Sequence, residues 1–126
     1  MDCQSEAAQV LRDAATYIDT HGWYRGNYFP AAEDPVDWFP PACALGAIGM
    51  ALAGNAAAAG YRMSYGEDNA VIEFARFLCP EAWQQGYGVD EIVGAWNDEQ
   101  AIDAADVAAT LRAAADQLAP AIAAQQ

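Results

Sequence analysis

The sequence predicts an all-α protein. Four to five helices pack around a central Gly/Ala-rich helix at about 42–54, and a long aromatic loop at about 24–41 lies over one side. Two observations lead there. Apolar residues recur at helical spacing in several separate stretches, and no strand alternation stands out, which leaves room for no more than a short hairpin at 24–40 or 80–90. Hydrophobic residues make up 55% of the chain, and much of that share is alanine. Alanine has the highest helix propensity and little volume. The core should therefore be helical and tightly packed, with bulk from Trp, Tyr, Phe, Leu and Ile. At 126 residues the expected organisation is a single domain spanning 1–126.

The first helix is expected to begin after Ser5, which suits an N-cap, with Glu6 favourable in the first turn. Val10, Leu11, Ala14, Ala15 and Ile18 share one face. His21 and Gly22 should end it, glycine supplying the left-handed residue after the last turn. The loop at 24–41 comes next. Its four prolines and one glycine oppose regular structure. It nevertheless carries Tyr24, Tyr28, Phe29, Trp38 and Phe39, more aromatics than a solvated linker needs. Loops of this length in compact domains tend to be packed down or functional.

The central helix should start near Pro41 or Ala42, since proline suits the first helical position. Cys43 then falls in the first turn, where free backbone N–H groups favour a thiolate. Gly46, Gly49 and Ala53 would let neighbouring helices approach closely. A third helix is expected at about 68–79, with Glu73 and Arg76 as an exposed pair, Cys79 as a buried filler and Pro80 as the stop. A turn at 84–88 leads to a short helix at about 90–96. The last helix should open at Asp103 in a capping box closed by Asp106, with Val107, Leu111, Ala114 and Leu118 inward.

Charge restricts the partners. The net charge is −13, from 18 acidic and 5 basic residues, all five of them arginine. Phosphate backbones and anionic membranes need a cationic surface, so neither direct nucleic-acid binding nor membrane binding is expected. A protein partner fits better, cationic or itself nucleic-acid-binding. Three cysteines with no CxxC spacing oppose a disulfide framework and a structural zinc site. No stretch has metal-ligand or phosphate-loop spacing, so no metal and no cofactor is expected. With no signal-like N-terminus, the expected location is cytoplasmic.

Three landmarks stand in order: His21-Gly22-Trp23, Cys43-Ala44-Leu45-Gly46-Ala47 and Trp96-Asn97-Asp98. An alanine-rich helix lies before the first and another after the last. Over about 7–116 this pattern resembles a family of small uncharacterised proteins of actinobacteria and their phages. The resemblance implies a mainly helical domain and such a source, and it implies no activity. The chain departs from the pattern in its unusually aromatic loop and in lacking a Pro-Gly turn after Asn97-Asp98.

Two functional expectations arise. The first is a non-catalytic, acidic binding or inhibitor-type module that acts through a protein partner. Its contact residues would be Tyr28, Phe29, Asp34, Asp37, Trp38 and Phe39, aromatic anchors rimmed by charge. The second is a small cysteine-dependent enzyme. There Cys43 would be the nucleophile, His21 (the only histidine) the base, and Asn97 or Asp98 the group that orients the imidazole. In the plainer reading of the third landmark, Trp96 fills the core, Asn97 satisfies backbone groups and Asp98 caps the next segment.

Overall fold

A computed structural model describes residues 3–24, 41–53 and 69–119. The architecture is all-α, as the helical periodicity predicts. The described elements are α1 (Cys3–His21), α2 (Ala44–Ala53), α3 (Asn69–Leu78), α4 (Pro80–Gln84), α5 (Val89–Ala95), a π-helical turn (Trp96–Gln100) and α6 (Ala104–Leu118). The six contact residues expected in the loop, Tyr28, Phe29, Asp34, Asp37, Trp38 and Phe39, lie outside the described residues.

Helix α1 starts two residues before the expected cap. It buries Ala7, Ala8, Leu11, Ala14, Ala15 and Ile18, which is one stripe at i, i+3, i+4 and i+7 spacing. Gly22 ends it with φ +100°, and its N–H donates to the Ile18 carbonyl at 2.9 Å. That is the left-handed cap expected from the sequence, and a Cβ there would be strained whatever the space around it.

The two longest helices, α1 and α6, form the most extensive contact in the fold. Leu11 and Leu111 are both fully buried in the core. Two ion pairs cross between the helices: Arg12 with Asp116 at 3.0 Å, and Arg112 with Asp19 at 2.6 Å. Lower numbers on α1 meet higher numbers on α6, so the helices run antiparallel. The Arg12 guanidinium also donates to the carbonyl of Ala119, just past the end of α6. Asp103 caps α6 by accepting from Asp106 N–H at 2.8 Å. The Asp106 carboxylate reaches back to Ile102 N–H at 3.0 Å, one residue further than in a standard capping box.

Helix α2 is the most enclosed element. Residues 42–50 are all buried, Gly46 and Gly49 included. The helix packs on α1, α3 and α5, so the small residues sit where close approach is needed. Helix α3 forms as expected, with Arg76 on Glu73 at 3.3 Å. Two expectations fail at its end. Pro80 does not only stop α3; it opens α4 as the first helical residue, where its missing N–H costs nothing. Cys79, the residue between the two helices, is exposed rather than a buried filler. The extended backbone at Cys79 (φ −152°) turns it out of the stripe that α3 would otherwise continue.

Candidate functional site

The three landmarks of the sequence meet at one side chain. Asn97 lies in the π-helical turn and is 1% exposed. Its Oδ1 accepts from the Trp23 indole N–H at 2.8 Å and from the backbone N–H of Ala44 at 3.0 Å. Its Nδ2 donates to the Tyr24 carbonyl at 3.4 Å and to Asp98 Oδ1 at 3.1 Å. An amide offers two donors and one acceptor with two lone pairs, and all four capacities are engaged.

Local geometry explains how this clasp assembles. After the glycine cap, the chain at Trp23 runs parallel to the chain at Ala42 as an isolated bridge. Ala42 N–H donates to the Gly22 carbonyl at 3.1 Å, and Tyr24 N–H donates to the Ala42 carbonyl at 3.0 Å. The bridge holds together the two ends from which the 25–40 segment departs and returns. Asn97 is bonded to both of them, Trp23 and Tyr24 on one side and Ala44 on the other. The wider π-helical turn displaces the backbone relative to a regular helix. Here Asn97 is buried while its neighbour Trp96 remains half-buried.

Cys43 immediately precedes α2 and acts as its N-terminal cap. Its carbonyl accepts from Ala47 N–H at 2.9 Å, and its Sγ accepts from Gly46 N–H at 3.3 Å. The sequence suggests a thiolate favoured by the helix terminus. The opposite holds. Cys43 is 3% exposed, and burial pushes the thiol up to about 11. The N–H groups of Gly46 and Leu45 pull it down and the nearby Asp98 carboxylate pushes it up, but desolvation is the larger effect. The helix terminus is real, yet its field does not repay removing the thiolate from water. The balance favours the protonated thiol at neutral pH.

His21 closes α1, and its ring packs on Tyr17, with centroids 4.5 Å apart and planes tilted by 38°. The plainer reading of His21 as a helix-terminal residue matches this position. Asn97, the proposed orienter of an imidazole, is occupied by Trp23, Tyr24, Ala44 and Asp98. Among the described residues, no cluster of His, Cys, Asp or Glu could hold a metal ion. None of the described helices is long and apolar enough to cross a membrane.

Trp96 departs from expectation in an informative way. It does not simply fill the core. Its ring and that of Phe74 make a T-shaped contact, with centroids 5.6 Å apart and planes at 88°. Trp96 also lines an open groove of about 370 Å³ together with Leu78, Ala82, Tyr87, Ile92 and Ala95. Sequence reasoning missed this groove. The signal available was the glycine-bracketed tyrosine in Gly86-Tyr87-Gly88, an aromatic in a turn with no helix of its own to pack under.

A helical protein whose separated motifs are joined by one buried amide is the class that fold and site define. Residues 2–117 match a family of unknown function, DUF6197, and the chain belongs to it. No curated protein and no solved structure matches the chain.

Proposed function

We propose that this chain is a non-catalytic, acidic binding or inhibitor-type module. It acts in the cytoplasm through a cationic protein partner, a class that includes nucleic-acid-binding proteins. Its resemblance to proteins of actinobacteria and their phages makes a phage-encoded effector on a host protein the natural setting. The proposal excludes direct contact with nucleic acid or membrane lipid, because the chain carries a net charge of −13.

The observation that carries this reading is the state of Cys43. A nucleophile must be an accessible thiolate, and this thiol is enclosed and held protonated. The alternative, a cysteine enzyme built on Cys43, His21 and Asn97 or Asp98, is the weaker reading for that reason. A second observation favours a cationic partner. The three described arginines, Arg12, Arg76 and Arg112, are each already on a carboxylate. The remaining acids leave the exterior strongly negative.

Affinity capture from an actinobacterial lysate tests the proposal. The expected result is a partner that wild-type protein retains, that salt elutes, and that Phe29→Ala/Trp38→Ala fails to hold. Capture of no such partner would sink it. Rapid iodoacetamide labelling of folded Cys43 at neutral pH, measured with Cys3 and Cys79 replaced by serine, would instead restore the enzyme reading.

A further inference from the structure

The groove beside the clasp is built from elements that carry one sign of charge. Between Arg76 and Arg112 the sequence has Glu81, Asp90, Glu91, Asp98, Glu99, Asp103 and Asp106, and no lysine, arginine or histidine. Glu91 itself lines the groove. Its carboxylate also accepts from Gly88 N–H at 3.4 Å, which fixes the side chain at the first turn of α5. Glu81, Asp90 and Glu99 are exposed on α4, α5 and the π-helical turn.

The lining of the groove is mainly apolar, with Glu91 and Gln100 as its charged and polar members. Leu78 and Ile92 come from α3 and α5, and Trp96 is held against Phe74. Tyr87 stands at 53% exposure beside it, and Ile102 is 77% exposed just beyond the π-helical turn. Among the described residues these are the two large apolar side chains left in solvent. Apolar side chains gathered in an open groove with a carboxylate in its lining form a surface that a partner can cover.

We propose that this groove docks an amphipathic, lysine- or arginine-bearing helix of the partner protein. The proposal rests on the partner-binding reading above and gives it a surface. Charge complementarity selects the occupant. Apolar side chains of the incoming helix enter between Leu78, Ile92 and Trp96, and its cationic flank meets Glu91 and the negative charge of the surrounding elements. A second copy of the chain would bring the same negative charge to the contact. At about 370 Å³ the groove lies at the small end for an enclosed small-molecule site, and it suits anchoring side chains of a larger partner. The described elements offer no sheet edge on which an extended peptide could add a strand.

The test uses the full isotope-labelled chain and three synthetic peptides of equal length. One carries leucine and lysine at helical spacing, one leucine and glutamate, and one serine and lysine. The leucine–lysine peptide should perturb amides of Leu78, Ala82, Tyr87, Ile92 and Trp96, and bind more weakly as salt rises. Ala95→Glu is the sharpest variant. Ala95 lines the groove and is exposed, so the fold tolerates the change. It adds negative charge, which would tighten purely electrostatic binding, but it puts a carboxylate where an apolar side chain docks. A loss of about tenfold or more supports docking, equivalent to about 1.4 kcal/mol.

Three results would overturn the groove: unchanged or tighter binding to Ala95→Glu, equal binding of the leucine–glutamate peptide, or perturbations centred elsewhere. Concentration-dependent self-association abolished by Tyr87→Ala would also overturn it, in favour of a second copy. The two proposals fail separately. A captured partner lost with Phe29→Ala/Trp38→Ala but kept by Ala95→Glu removes only the groove. Peptide docking at the groove, with no partner lost on the loop variants, sinks the partner-binding reading and leaves the groove standing as a peptide site.

Discussion

Two regions hold this molecule together by different physics. The α1–α6 contact is a seam of alanine and leucine with a pair of surface ion pairs. The Asn97 clasp is a single amide with four hydrogen-bond partners. The seam is spread over many small contacts, each non-directional, so its loss is graded with volume. The clasp is directional and shared, so removing its centre strands several groups at once. The cost of a change along the seam should therefore scale with the volume removed, whereas at the clasp even an isosteric change that breaks the bonds should be felt.

Deleting bulk from the seam should have the largest effect. Leu111→Ala is expected to cost about 3–4 kcal/mol by denaturant unfolding, since the side chain is fully enclosed. Asn97→Ala should cost about 3 kcal/mol, because it removes the buried hydrogen bonds to the Trp23 N–H, the Ala44 N–H and the Tyr24 carbonyl. The two regions then separate in double-mutant cycles. Asn97→Ala with Trp23→Phe should be strongly non-additive, while Asn97→Ala with Leu111→Ala should be close to additive. If Asn97→Leu restored full stability, the clasp would be packing and the comparison would collapse.

Alkaline titration probes the edge of the clasp. The Cys43 thiol titrates near 9 when unfolded and near 11 when folded. Between those values the unfolded chain has released a proton that the folded chain keeps. Stability is therefore complete below pH 9 and falls as pH rises through 11, by about 2–3 kcal/mol. Tyr17, raised to about 12 by burial, adds to the decline in the same direction above pH 10. Cys43→Ala should remove the part of the slope that begins near pH 9, measured by urea midpoints across the range.

The smallest effect belongs to the surface charges of the seam. Arg112 and Asp19 are both close to half exposed, so Asp19→Asn should cost under about 1 kcal/mol. The loss should shrink further in high salt. A larger, salt-insensitive loss would mean that the ion pairs, and not the apolar stripe, organise the α1–α6 contact.

Helix positions were legible because they depend on neighbours three and four residues away. The stripe of α1, the left-handed Gly22, the Glu73–Arg76 pair and the Asp103 cap can all be read from local spacing. The short α4 was missed because Pro80 reads equally as a stop and as a first helical residue. The choice between them depends on whether the chain beyond finds something to pack against. The exposure of Cys79 is a consequence of that choice.

The sequence by itself determined the class of fold, the placement of most helices and the acidic character of the surface. These are sums over composition and short-range periodicity. Only the tertiary structure decided what the landmark residues do. Asn97 bonds to groups 53 and 74 positions away, and no local pattern encodes such a meeting. The same folding step decided the chemistry of Cys43. A helix terminus favours a thiolate only where water remains, and the core that closes over Cys43 removes it.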